Sequence, residues 1–286
     1  MHEEDGDRMK KNKHRFLDIV MFCVLIGGTI AVLYPFVSDA ITTIWDQQVI
    51  NYYQKKANAE NQAAIKEEQL RMEEENRRIE KNARPGKDPF VKKSKKVEKK
   101  AKGYYQMHTI AIIRIPEIRV TLPVFDKTKE LFLQKGAALL EGTSYPTGGK
   151  NTHAVITGHR GLVKAKLFND LAKLKKNNHF YIEVNGKTLA YQIDQIKTIE
   201  PTEVEALDIV KDQDHVTLMT CTPYGVNSHR LLVRGSRIPF TDEMEKKIQT
   251  TERQRMIFCI ASILGSLLLL LFLIRLVRSR RKARGN

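Results

Sequence analysis

Apolar residues in this 286-residue chain fall into two contrasting patterns. Residues 16–37, "FLDIVMFCVLIGGTIAVLYPFV", and 256–277, "MIFCIASILGSLLLLLFLIRLV", are nearly unbroken apolar runs. About 20 such residues are enough to cross a bilayer as helix. Between them, residues 39–83 lack Pro and Gly and carry Glu, Lys, Gln and Ala with sparse apolar positions and no sustained heptad, which predicts a helical stalk rather than a coiled coil. "RPGKDPF" (84–90) breaks that helix. From Tyr105 onward the pattern changes to short β-type runs at 109–116, 120–125, 152–159, 179–184, 187–200, 215–221 and 229–238, with a hairpin signal in "VNGK" (184–187). Two short helices are expected at 127–136 and 165–176. Many short strands with few helices favour a mainly β, closed barrel, which leaves no exposed sheet edge.

Charge adds topology. The formal net charge is +16, but it gathers in "VKKSKKVEKKAK" (91–102) and in "RLVRSRRKARGN" (275–286), which holds six Lys or Arg and no acid. Basic residues beside apolar spans follow the positive-inside rule, and no nucleic-acid-binding motif accompanies them. The flank "RMKKNKHR" before the first span is basic too. Both termini are therefore expected in the cytoplasm and residues 38–255 outside. A cleaved signal peptide is the rival reading of 16–37, although no clear small-residue cleavage site follows. The expected organisation is a cytoplasmic tail (1–15), a membrane span (16–37), a stalk (38–83) and a lid or linker (84–104). A β-barrel (105–240), a juxtamembrane segment (241–255), a second span (256–277) and a basic tail (278–286) follow.

Cys23 and Cys259 lie in the apolar runs, so the polar body carries Cys221 alone, with no possible intradomain disulfide or Cys-based zinc site. A lone thiol outside the cell invites a chemical reason, and a thiol acts as a nucleophile only as thiolate, beside a base or cation. Of the histidines at 108, 153, 159, 179, 215 and 229, His159 is best placed, at a strand end between Gly158 and Gly161. Arg230 opens the run after the loop "TPYGVNSH", so it returns to the level of Cys221. Buried packing is the ordinary fate of a lone Cys, and spacing does not make the three converge. These residues alone support a cysteine acyl-transfer enzyme. A papain-like peptidase and a non-enzymatic adhesion module stay open beside it.

"TLMTC" (217–221), "TGHRG" (157–161) and "HRLLVRG" (229–235), in that order, resemble the nucleophile, histidine and arginine motifs of sortases, membrane-anchored transpeptidases of Gram-positive bacteria. The resemblance covers roughly residues 105–238. It implies an eight-stranded β-barrel with Cys221 as nucleophile, His159 as acid/base and Arg230 as oxyanion and substrate stabiliser. The long N-terminal extension, the C-terminal span and "KDPF" (87–90) resemble class C, pilus-assembling sortases. By that resemblance Asp88, Pro89 and Phe90 form a lid, with Asp88 on Arg230 and Phe90 against Cys221. The implied substrates are pilins with LPxTG-like signals and acceptor lysines, joined without a cofactor or metal. A housekeeping sortase acting on a cell-wall precursor is the alternative within the family.

Overall fold

A computed structural model describes residues 2–58, 62–82, 85–90, 100–162 and 166–283. Along the helices, the side chains of 2–19, 21–23, 35–36, 39, 57–58, 270, 276–278 and 280–283 are outside this description. Residues 42–258 form one unit, and residues 1–41 with 259–286 form a second, whose described residues are all helical.

The first unit is built on a closed barrel of eight strands: β1 (Thr109–Ile115), β2 (Val120–Phe125), β3 (Ala137–Leu139), β4 (Thr152–Thr157), β5 (His179–Val184), β6 (Lys187–Ile199), β7 (Asp214–Thr222) and β8 (His229–Ile238). Around the barrel the order is β1-β2-β3-β4-β7-β8-β6-β5. Only β2–β3 and β4–β7 pair in parallel. The helices are α1 (His2–Asn58), α2 (Gln62–Asn82), α3 (Lys102–Met107), α4 (Glu130–Leu133) and α5 (Asp242–Ala283).

Alternation along each strand sends one set of side chains inward. Ala111, Ile113 and Ile115 of β1 join Phe180 of β5, Tyr191 of β6 and Val233 of β8 in the main core. Phe180 and Tyr191 stack with centroids 5.5 Å apart. Gly235 of β8 lies against this stack: a Cβ there would meet Phe180 Cε1 at 2.6 Å, so the glycine after "LLVR" is a packing requirement. β1 is buried on both faces, which explains its nearly continuous apolar run. Its outward Ile112 meets Ile50 and Tyr53 of α1.

The seven expected strands correspond to seven of the eight. β3 was not foreseen, because "AAL" is short and without β-branched residues; its partners β2 and β4 make it a strand. The expected helix at 127–136 shrinks to the single turn of α4. At 165–176 the expected helix gives way to turns and a short 3₁₀ helix, Leu171–Lys173, with 163–165 outside the described residues. Phe168, Leu171 and Leu174 are buried at a spacing of three, the period of a 3₁₀ turn.

The stalk departs from expectation in a second way. It is two helices, and both pack on the barrel. Tyr53 Oη of α1 donates to the Ile110 carbonyl at 2.8 Å. Met72 of α2 joins the main core, and Asn76 Nδ2 donates to the Tyr145 carbonyl at 3.1 Å. The buried Arg114 of β1 bonds Glu183 of β5 at 2.5 Å and Glu252 of α5 at 2.7 Å, and Gln54 of α1 also donates to Glu183. These long-range polar bonds tie both flanking helices to the barrel, and no periodicity in the stalk announces them.

Membrane spans also need correction. Two were expected, at 16–37 and 256–277. Among the described residues one helical stretch, Asp242–Arg275, is long and apolar enough to cross a bilayer, with mean hydropathy 2.9 in its best window. It is a candidate membrane anchor near the C-terminus. The described part of the first run supplies only a shorter apolar stretch, Val24–Tyr34, and much of 16–23 lies outside the described side chains. Of the basic linker, residues 91–99 are outside the description as well.

A polar cluster where β4 and β7 begin is expected to make the fold acid-sensitive. His153 and His215 are register partners with rings 5.6 Å apart, and both are buried. His153 is held between the Asp208 carbonyl (2.8 Å) and Thr217 Oγ1 (2.7 Å). Burial is the main cause that pushes His153 down to about 4 from an ordinary 6.5, and it lowers His215 too, with Arg234 adding repulsion. Above pH 6.5 both rings are neutral folded or unfolded, and pH has little hold on stability through them. As pH falls toward 4, the unfolded chain takes up protons that the folded chain resists. Stability is therefore expected to drop between about pH 6.5 and 4, by roughly 3 kcal/mol for His153. Urea midpoints at pH 7, 5.5 and 4.5 check this, and a flat profile over that window would refute it.

Candidate active site

Topology brings the three motifs to one end of the barrel. β4 and β7 run parallel in register, Thr157 opposite Met219, and the Gly158 amide continues the ladder to the Met219 carbonyl at 3.0 Å. Thr220 Oγ1 of β7 donates to the Gly158 carbonyl at 2.7 Å. His159 therefore leaves β4 beside the end of β7. β8 runs back antiparallel, with Cys221 directly opposite Arg230. Gly158 is again a packing requirement, since a Cβ would meet Phe168 Cδ2 at 2.8 Å.

Alternation decides which face these residues share. Val155, Met219 and Leu232 form a small cluster with Leu140, Ile199 and Leu207, separate from the main core. Cys221 lies two residues after Met219, and Arg230 two before Leu232, so both share that face. Both are buried, at 5% and 4% exposure.

The segment 85–90 reaches Arg230 and His159. Gly86 N donates to the Glu141 carbonyl at 2.6 Å. Asp88 Oδ2 accepts from Arg230 Nε at 2.5 Å, while Arg230 Nη1 donates to the Asn227 and His229 carbonyls. Asp88 Oδ1 also accepts from the Phe90 amide at 2.9 Å, closing a tight turn over Pro89. Phe90 packs against the Met219 cluster, with its ring centroid 5.3 Å from His159 and 5.4 Å from the Arg230 guanidinium carbon. Asp88 thus meets Arg230, and Phe90 meets His159 and Arg230.

Glu130 of α4 is the residue that sequence reasoning missed. Its carboxylate lies 3.1–3.2 Å from His159 Nε2. Nothing in "KTKELF" marks that glutamate, because α4 reaches His159 only through the β2–β3–β4 pairing.

Charge and burial set the resting chemistry. Burial pushes the Cys221 thiol up to about 11; Arg230 pulls it down in part and Asp88 opposes Arg230. The thiol is therefore protonated at neutral pH in this arrangement. The hydrogen bond from His159 holds Glu130 below the ordinary carboxylate range. Among the described residues no group of three or more His, Cys, Asp or Glu is arranged to hold a metal ion. The arrangement can do cysteine acyl transfer: a nucleophile, a proton carrier and a guanidinium around one strand end.

Comparisons with known proteins agree with this geometry. Residues 113–238 match the family model "Sortase domain". Sortase A of Bacillus anthracis is 32% identical over 131 residues, covering 45% of this chain and 60% of that protein. Sortase A of Streptococcus agalactiae is 30% identical over 121 residues, 41% of this chain and 49% of that protein. The chain thus spans less than two thirds of these curated relatives' lengths. Solved structures are covered more fully. Sortase C1 of Streptococcus agalactiae is 40% identical with a TM-score of 0.61, covering 68% of this chain and 97% of that one. Sortase C of Streptococcus pneumoniae is 44% identical with a TM-score of 0.57, covering 68% and 98%. With such identity across nearly the whole of those barrels, on the same eight-stranded fold, this chain belongs to the sortase family and within it to the class C sortases.

Proposed function

We propose that the protein is a membrane-anchored cysteine transpeptidase that cleaves LPxTG-like sorting signals between Thr and Gly and joins pilin subunits through a lysine side chain. The observation that carries this reading is the pairing of Cys221 opposite Arg230 beside the His159 loop. The pneumococcal relative supports the substrate class, since its structure is described as bearing on pilin substrate specificity.

In this reading the Asp88–Pro89–Phe90 segment is a lid. With the lid withdrawn, Arg230 loses its carboxylate partner and Cys221 becomes accessible. The Cys221 proton passes to His159, and the thiolate attacks the Thr carbonyl carbon. Arg230 donates to the oxyanion of the tetrahedral intermediate. His159 returns the proton to the glycine nitrogen as the C–N bond breaks, leaving a thioester. An acceptor lysine amine attacks that thioester and gives its proton to His159. The C–S bond breaks, the thiolate leaves, and an isopeptide bond remains. The apolar stretch within Asp242–Arg275 would be the membrane anchor.

The test incubates the full chain in detergent with an LPxTG peptide, with and without a lysine-bearing acceptor peptide. Intact-mass spectrometry should find an acyl adduct that maps to Cys221, discharged by the acceptor into an isopeptide-linked product. No adduct with any of several sorting signals would sink the reading. The curated relatives are named sortase A, which favours a second reading in which the acceptor is a cell-wall precursor amine. Discharge by a glycine or diaminopimelate amine but not by lysine peptides would select it.

A further inference from the structure

The contact between Glu130 and His159 comes from a different element than the lid. α4 is a single turn whose Phe132 and Leu133 are buried. Phe132 stacks on Phe125 of β2 with centroids 4.8 Å apart and also packs against Tyr105. This fixes α4 on the barrel wall. Gln134 Nε2 donates to Glu130 Oε1 at 3.0 Å and steadies the carboxylate. Both carboxylate oxygens sit within hydrogen-bond reach of His159 Nε2. Phe90 lies on the ring from the lid side. Phe90 also packs against the Phe132 cluster, in which Phe132 and Leu133 hold α4 to Phe125 and Ala138 of the barrel.

An ionised carboxylate only accepts, so Nε2 must carry the hydrogen in this pair. The neutral ring then has its lone pair on Nδ1. We propose that Glu130 is a positioning residue for His159: it holds Nε2–H so that Nδ1 exchanges protons with the thiol and the amines. This rests on the reading of His159 as the acid/base. A purely structural role predicts little from the same contact, because pairs this exposed (19% and 29% for the two side chains) contribute about 0–1 kcal/mol.

The full chain in detergent provides the test. Glu130→Ala should lower kcat about tenfold to a hundredfold with the peptide KM within about twofold, as expected when a proton-transfer group is misplaced. Glu130→Gln keeps an acceptor but loses the charge, and should fall between wild type and Glu130→Ala. The charged and titratable groups around His159 are Glu130 from α4, Asp88 from the lid, Cys221 of β7, Arg230 of β8, and Arg160 on its own loop. Among these only Glu130 is altered in either variant. Independently of turnover, ¹⁵N spectra of His-labelled resting enzyme, assigned with His159→Gln, should show the Nε2–H tautomer in wild type and a mixture in Glu130→Ala. Unchanged kcat and His159 nitrogen shifts in Glu130→Ala would overturn the proposal. If wild type forms no acyl adduct, the transpeptidase reading fails instead, and the nitrogen spectra still decide whether Glu130 sets the His159 tautomer.

Discussion

Arg230→Ala is expected to lower turnover about a hundredfold to a thousandfold, the usual loss when a preorganised donor is removed from a developing oxyanion. Arg230 is 4% exposed, and two of its hydrogen bonds go to the backbone carbonyls of Asn227 and His229. Those two bonds aim the guanidinium before any substrate arrives. Arg230→Lys should recover little, because an ammonium cannot hold those carbonyls and still reach the oxyanion with a planar fork. Single-turnover acylation with an LPxTG peptide measures the effect. A value within threefold of wild type would remove Arg230 from the chemistry. The substitution should also loosen the lid. It leaves Asp88 buried without its partner, an arrangement that costs about 3–5 kcal/mol when one member of a buried pair is lost. The chain can escape that cost by releasing residues 85–90 into water, so limited proteolysis at this segment should accelerate while the barrel stays folded.

The second large effect runs in the opposite direction. Asp88→Ala should speed alkylation of Cys221 by a small thiol reagent about tenfold to a hundredfold at neutral pH. The arithmetic follows from the latch. A hydrogen bond to a charged group contributes about 1.5–3 kcal/mol, which is one to two orders of magnitude in the open-lid population. The thiol gains as well, since Asp88 is one of the groups that holds Cys221 protonated, and its removal leaves Arg230 unopposed. Phe90→Ala should show the access effect without the charge effect. An unchanged alkylation rate in both variants would mean that the segment does not gate the thiol, whatever the chemistry of the site.

Much of the barrel could be read from residue pattern. The runs at 120–125, 179–184 and 229–238 match β2, β5 and β8 at both ends, because β-branched and aromatic alternation is a local signal with clear breakers around it. "VNGK" is a tight hairpin with Asn185 and Gly186 both at positive φ, the conformation that Asn-Gly favours. The helical expectation at 165–176 failed because Phe168, Leu171 and Leu174 are also spaced for a 3₁₀ turn. Their burial in the main core selected that geometry. β3 was illegible because three small residues carry no β signal until β2 and β4 flank them.

The candidate site divides along the same line. The amino-acid sequence by itself determined that a lone polar-body cysteine follows one β-type run, that an arginine opens the next, and that a histidine sits between glycines at the end of an earlier one. Each of these is a local statement about a run and its breakers. Only the tertiary structure decided that β4 and β7 are parallel neighbours, which sets His159 beside the end of β7, and that Glu130 meets His159; the approach of Asp88 to Arg230 across 142 positions was implied by the resemblance and by no local pattern. Those contacts depend on strand order and on which apolar face each segment buries. Both are settled by pairing between distant residues, and no local propensity carries that information.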